Sequence, residues 1–130
     1  RVYTLIGDGE SNEGSVWEAI MVAADRKLDN LTIILDYNKS QSRCLQIESP
    51  VEKFRSFGCR SVEVDGHDIG AIKAALMSPP EGNRPLVIVA NTVKGFGSKT
   101  LTDKVFEWHR RSPDQQTLNT LLEEIDAAAI

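Results

Sequence analysis

A chain of 130 residues, 41% apolar and 26% charged, has the makeup of a folded globular domain and excludes a disordered or collagen-like one. Its 15 Lys and Arg against 19 Asp and Glu leave a net charge of −4, which sets no function and gives no basic footprint for nucleic acid. No apolar run approaches the roughly 18 residues of a membrane span, so neither nucleic acid nor membrane is expected as a partner.

The length predicts a single domain over 1–130. The chain starts at Arg1-Val2, already in a strand-like run, without Met or a secretory signal. That start is expected of a fragment or of one piece of a larger enzyme. Cys44 and Cys59 match no metal-ligand spacing, and two free thiols suit a cytoplasmic chain.

Val2 to Ile6 is a short apolar run closed by Gly7-Asp8-Gly9, which predicts a buried strand ending in a tight turn. Val16, Trp17, Ile20, Ala23 and Ala24 recur at helical steps, and that helix ends near Lys27-Leu28. Leu31 to Leu35 is a second strand, apolar throughout, as in a parallel sheet covered on both faces. Ser49-Pro50-Val51-Glu52 reads as a capping box opening a short helix that stops at Gly58. Arg60 to Val64 is a third strand. Asp68 caps a helix carrying Ile69, Ile72 and Leu76, ended by Pro79-Pro80. Leu86 to Ala90 is a fourth strand. Lys94 to Trp108 has no clear period and reads as a long loop. Ser112-Pro113-Asp114-Gln115 is a second capping box, opening a helix with Leu118, Leu121, Leu122 and Ile125. Strands alternating with helices imply an α/β fold: an open, mostly parallel sheet with helices on both faces and right-handed crossovers.

Ligands of such sheets bind outside the carboxyl ends of the strands. Gly7-Asp8-Gly9 lies at such an end. Its glycines allow close backbone approach, and the following helix start favours an anion. Asp8 would repel a phosphate unless a cation lay between them, and Mg²⁺ prefers oxygens shared between carboxylate and phosphate. Asn38, thirty residues on, ends the next strand within Asp36-Tyr37-Asn38-Lys39-Ser40. Adjacent parallel strands would bring Asp8, the Asn38 amide oxygen and the Ser40 carbonyl to one cation. Diphosphate oxygens and water would complete its octahedron.

Gly-Asp-Gly followed after some thirty residues by Asn resembles the signature of thiamine diphosphate enzymes. Gly7 to Gly14, Trp17-Glu18-Ala19, Lys27 to Leu31, Asp36 to Gln41, Val64 to Asp68, Thr92 to Gly97 and Trp108-His109 together resemble the transketolase family. Trp108-His109 is similar to a late motif of its split, bacterial-type members. The resemblance implies thiamine diphosphate with Mg²⁺ (or Ca²⁺ or Mn²⁺) as cofactors. It implies side-chain metal ligands at Asp8 and Asn38 and a main-chain one at Ser40. Gly7, Gly9, Glu10 and Lys94 would lie on the diphosphate side. Glu13 and Glu18 match acidic positions of a carboxylate network at the family's dimer interface, and His109 matches a histidine near diphosphate and substrate. Where the family usually has Gly after that histidine, this chain has Arg110-Arg111. His67 is expected to serve a turn and cap, Trp17 and Trp108 to pack, and Arg110-Arg111 to be solvated.

The implied activity moves a two-carbon ketol unit from a ketose to an aldose, with sugar phosphates as substrates. This chain would supply the diphosphate and metal half of the site. A pyrimidine-binding domain or subunit would supply the other half, in a homo- or hetero-oligomer. Three alternatives stand beside it: a 1-deoxyxylulose-5-phosphate synthase type, a 2-oxo-acid dehydrogenase, and a non-catalytic structural subunit.

Overall fold

Four parallel strands, β1 (Val2–Gly7), β2 (Leu31–Tyr37), β3 (Arg60–Asp65) and β4 (Leu86–Asn91), form a sheet in the order β1-β2-β4-β3. These come from a computed structural model of the chain, which describes residues 1–41 and 43–128. Ser42, in the segment that follows β2, lies outside the described residues. The chain divides into two compact units, Arg1–Thr92 and Val93–Ile130, at a point where composition shows no linker.

In the first unit, α1 (Gly14–Asp25) connects β1 to β2, and α2 (Pro50–Ser56) connects β2 to β3. Both pack on one face. Ile20 of α1 and Phe54 of α2 join Ile33, Leu35 and Tyr37 of β2 and Val87 and Val89 of β4 in the buried core. Trp17 stacks on Phe54 with ring centroids 5.1 Å apart and tilts against Phe57 at 4.9 Å, so it packs, as expected. The connection from β2 passes beyond β4 to β3, and α3 (Ile69–Met77) returns from β3 to β4. Crossovers of one hand that reverse direction change face. Accordingly Leu76 of α3 lines a cleft with Thr32, Arg60 and Leu86, whose side chains alternate with the core positions. The helices therefore cover both faces of a parallel sheet, the predicted fold class.

Four local expectations are corrected. β1 is not buried: it pairs only with β2, and Val2, Tyr3 and Leu5 are exposed, Leu5 at 68%. An apolar strand reads the same at a sheet edge as at its centre. Ser49 forms no capping box. It enters α2 in the left-handed region (φ 49°), where its hydroxyl makes no cap bond, and Glu52 pairs instead with Arg55 at 2.7 Å. The second predicted capping box also fails. Asp114 caps α5 (Gln115–Ala128), accepting from the Thr117 N–H at 2.8 Å. The expected loop from Lys94 to Trp108 contains α4 (Lys99–Asp103) and a 3₁₀ turn at Glu107–His109. Five residues are too few to show a helical period. α4 is held at its N-terminal end: the Ser98 hydroxyl accepts from the Leu101 N–H, and the Glu124 carboxylate of α5 accepts from the Ser98 hydroxyl and from both the N–H and the hydroxyl of Thr100.

Both cysteines are free; Cys44 is exposed and Cys59 buried, which pushes the Cys59 thiol up to about 11. No helix among the described residues is long and apolar enough to cross a membrane.

Candidate cofactor and metal site

The register aligns Gly7 with Asp36, Tyr37 with Asn91, and Asn91 with Asp65, so all four strands end along one edge. Asp8 steps off β1 there, its N–H still donating to the Asp36 carbonyl at 3.1 Å. The residue is only 7% exposed. Oδ1 accepts from the Ser40 hydroxyl at 3.1 Å, and Oδ2 accepts from the Gln41 N–H at 3.3 Å. The loop after β2 thus closes over the carboxylate of the turn after β1.

Asn38 shapes that loop. Its Oδ1 accepts from the Ser40 N–H at 2.9 Å, and its Nδ2 donates to Asp36 Oδ2 at 2.7 Å. Lys39 spans the turn at φ 60°. The amide orientation follows from this network, nitrogen toward the carboxylate and oxygen toward the N–H. The structure therefore brings Ser40 onto Asp8 and folds Asn38 back on the same loop. Ser40 reaches Asp8 through its hydroxyl.

Charge is what this arrangement lacks. Among the described residues no ion pair involves Asp8 or Asp36. Lys39 directs its ammonium over the Tyr37 ring, 5.7 Å from the centroid. Bonds of 3.1 and 3.3 Å to Asp8 are long for a carboxylate, whose charge-assisted bonds run to about 2.9 Å. A buried anion without a cation is costly, and a divalent ion would relieve that cost. The donor set fits one: carboxylate, amide and carbonyl oxygens suit Mg²⁺, which keeps further positions for water and phosphate. Among the described residues no cluster of three or more His, Cys, Asp or Glu competes for it.

The glycines behave differently from one another. A Cβ on Gly9 would lie 2.8 Å from Gln41 Nε2, so the turn and the loop pack as closely as glycine allows. The Gly7 N–H donates to Glu10 Oε2 at 2.8 Å, so two residues expected on the diphosphate side satisfy each other. The Ser11 hydroxyl donates to the Asp8 carbonyl at 2.7 Å and Trp17 Nε1 donates to the Ser11 carbonyl at 2.8 Å, tying the turn to α1. Glu13 precedes α1 without a side-chain capping bond, and Glu18 is exposed on it. Neither carboxylate makes an ion pair among the described residues.

At the end of β3 the His67 N–H donates to Asp65 Oδ1 at 2.9 Å, and Asp68 caps α3 by accepting from the Ala71 N–H at 2.9 Å. The turn-and-cap reading of this segment holds, with the aspartates as the acceptors. In the second unit Lys94 Nζ lies 2.8 Å from His109 Nδ1. Trp108 Nε1 donates to the Thr100 carbonyl at 3.2 Å, and Arg111 lies 5.5 Å from the Trp108 ring centroid and 3.5 Å from Glu107.

Three residues here carry no role assigned from the sequence: Asp36, Gln41 and Thr92. Their one signal is membership of the strand-end segments Asp36 to Gln41 and Thr92 to Gly97. Only the sheet register shows what they touch.

The fold and its strand ends describe an α/β domain whose parallel sheet gathers carboxylate, amide and hydroxyl groups at one edge. Residues 1–112 match the family model of the transketolase thiamine diphosphate binding domain. An apulose-4-phosphate transketolase subunit of Actinobacillus succinogenes is 38% identical over 130 aligned residues, covering 96% of this chain and 47% of that protein. A 6-deoxy-6-sulfo-D-fructose transketolase subunit of a Clostridium species is 40% identical over 103 residues, covering 75% of this chain and 38% of that one. Transketolase from Campylobacter jejuni superposes with a TM-score of 0.71 at 30% identity, over 78% of this chain and 17% of that structure. The chain belongs to the transketolase family, in its thiamine diphosphate binding domain. It spans less than half the length of these relatives.

Proposed function

We propose that this chain supplies the diphosphate- and metal-binding half of a transketolase-type active site, in an enzyme that moves a two-carbon ketol unit between sugar phosphates. The observation that carries the reading is the buried Asp8 carboxylate, closed over by the Ser40-Gln41 loop and without an ion-pair partner among the described residues. Asp8, the Asn38 amide oxygen and the Ser40 carbonyl would hold Mg²⁺, or Ca²⁺ or Mn²⁺ in its place. When bound, thiamine diphosphate supplies a carbanion equivalent that accepts the two-carbon unit.

The chain's own residues bind and orient. Gly9 lets the turn approach the loop closely and leaves its N–H for a diphosphate oxygen. In the second unit the adjoining Lys94 and His109 are proposed for the diphosphate and substrate on the family resemblance alone. Glu13 and Glu18 are proposed for a carboxylate network shared with a second subunit. The pyrimidine half of the cofactor would be held by a separate domain or subunit, and the relatives named as subunits support that division.

Calorimetry tests the reading. Thiamine diphosphate titrated into the chain with its pyrimidine-binding partner should bind in the presence of Mg²⁺ and not with chelator present. Metal-independent binding, or none, would sink the assignment. Product analysis with ketose against pyruvate donors separates ketol transfer from the synthase and dehydrogenase chemistries.

A further inference from the structure

Asn38 is held by a chain of contacts that runs across three strand ends. Asp36 is the last-but-one residue of β2 and half-buried. One of its carboxylate oxygens accepts from Asn38 Nδ2 at 2.7 Å, and the other accepts from the Thr92 hydroxyl, just past the end of β4. Thr92 is fixed in turn. Its N–H lies 3.5 Å from the Tyr37 carbonyl, and a Cβ on Gly66 would come within 2.3 Å of its Cγ2. Gly66 itself donates its N–H to the Asn91 carbonyl at 2.7 Å, so the turn after β3 is pinned against the end of β4.

These contacts have a chemical consequence. An asparagine amide can present either its oxygen or its nitrogen to a site. Asp36, as a carboxylate, accepts only, so it binds the NH₂ end and commits Oδ1 to the side where Ser40 and Asp8 lie. The Thr92 hydroxyl donates to the second oxygen and keeps the carboxylate from turning. Outer residues that orient a ligand in this way commonly change metal affinity by 10- to 100-fold.

We infer that Asp36, held by Thr92 over Gly66, is the positioning residue that aims the Asn38 oxygen at the metal. It rests on the metal reading of Asp8 and Asn38. It also gives Gly66 and Thr92 a shared task at the site, which neither performs as a metal ligand.

Two measurements on the full chain separate the inference from the reading beneath it. The first needs no metal: the side-chain amide NMR signals of Asn38 should move, and exchange faster with solvent, in Asp36→Asn and Thr92→Val but not in Thr92→Ser. Unchanged signals in both disruptive variants would overturn the inference. The second follows Mn²⁺ by electron paramagnetic resonance, with inorganic pyrophosphate present. Thr92→Val, which leaves every charge in place, should weaken Mn²⁺ roughly tenfold, Asp36→Asn by up to roughly a hundredfold, and Thr92→Ser by less than about twofold. Thermal melts identify any variant that does not fold, and Asp36→Asn and Thr92→Val stand in for each other. If Asp8→Asn loses Mn²⁺ while Asp36→Asn and Thr92→Val bind like the parent, the positioning role falls and the metal site stands. Equal loss in Thr92→Ser and Thr92→Val would make Thr92 a packing residue and also overturn it. If the parent does not bind Mn²⁺, or Asp8→Asn binds as well as the parent, the metal reading itself fails.

Discussion

The turn after β1 and the turn after β3 are built from the same parts and do different things. Each follows a parallel strand at the same sheet edge, and each combines glycine with aspartate: Gly7-Asp8-Gly9 in one, Asp65-Gly66-His67-Asp68 in the other. The carboxylates of Asp65 and Asp68 accept from N–H groups two and three residues away and are exposed. The Asp8 carboxylate ignores its own turn, is buried, and accepts from donors 32 and 33 residues away. An aspartate spent on local N–H groups is structural. One held away from them, and left without a cation, is available to a ligand.

The largest expected effect tests that division directly. Asp8→Asn should cost about 3 kcal/mol of metal-dependent binding, roughly a hundredfold, because a charged donor to the ion is lost. Without metal the same change should leave the melting temperature unchanged or higher, since it removes a buried charge held only by two long hydrogen bonds and by no ion pair among the described residues. A drop in metal-free stability would place Asp8 with the structural aspartates. Next, Gly66→Ala should destabilise by about 2 kcal/mol, measured by urea unfolding, because its Cβ would meet both Thr92 Cγ2 at 2.3 Å and the Asn91 carbonyl at 2.9 Å. Asp68→Ala should cost about 1 kcal/mol through the lost cap of α3 and leave Mn²⁺ affinity unchanged. Asp8→Asn and Asp68→Ala should therefore cross over, one affecting the ligand and the other the fold.

The smallest effect belongs to the second unit. Hydrogen bonds from Ser98 and Thr100 hold the Glu124 carboxyl below its ordinary value of 4.5. A lowered folded-state value means that the stabilisation is present above 4.5 and is lost as pH falls through the depressed value. Circular dichroism should show helix loss beginning below that pH, with a shallower acid limb in Glu124→Gln. Asp114 is lowered in the same direction by its bonds with Thr117, so some acid sensitivity should persist in that variant.

Much of this was legible in the residues. Apolar runs located β1, β2 and β4, and helical spacing located α1 and α3, because their signals are local and periodic; β3, with Arg60, Ser61 and Glu63 in it, was placed as a strand without such a run. The meeting of Asp8 with the Asn38-to-Ser40 loop was legible because β1 and β2 are consecutive and adjacent. The Asp36–Thr92 contact was not. It depends on β4 lying beside β2 in a register that sets Tyr37 against Asn91, with the two partners 56 positions apart in the chain. Nor was the exposure of β1 legible, since strand composition does not reveal which strand takes the edge. The capping-box patterns misled for two reasons: α5 starts beyond its proline, with Asp114 as its cap, and at α2 a Ser-Pro-x-Glu pattern does not fix the φ of the residue before the proline. In α2 that residue is left-handed.

The thiols give the site loop a handle. Cys44 is exposed, and its N–H donates at 2.8 Å to the carbonyl of Gln41, the residue whose own N–H reaches Asp8. Cys59 is buried, with a thiol that ionises only near about 11. At neutral pH a maleimide dye should therefore attach at one sulfur alone, a few residues from the loop's contact with the carboxylate at issue. Its emission would report an ion's arrival beside the loop in real time, without assay sugars and without altering any proposed ligand.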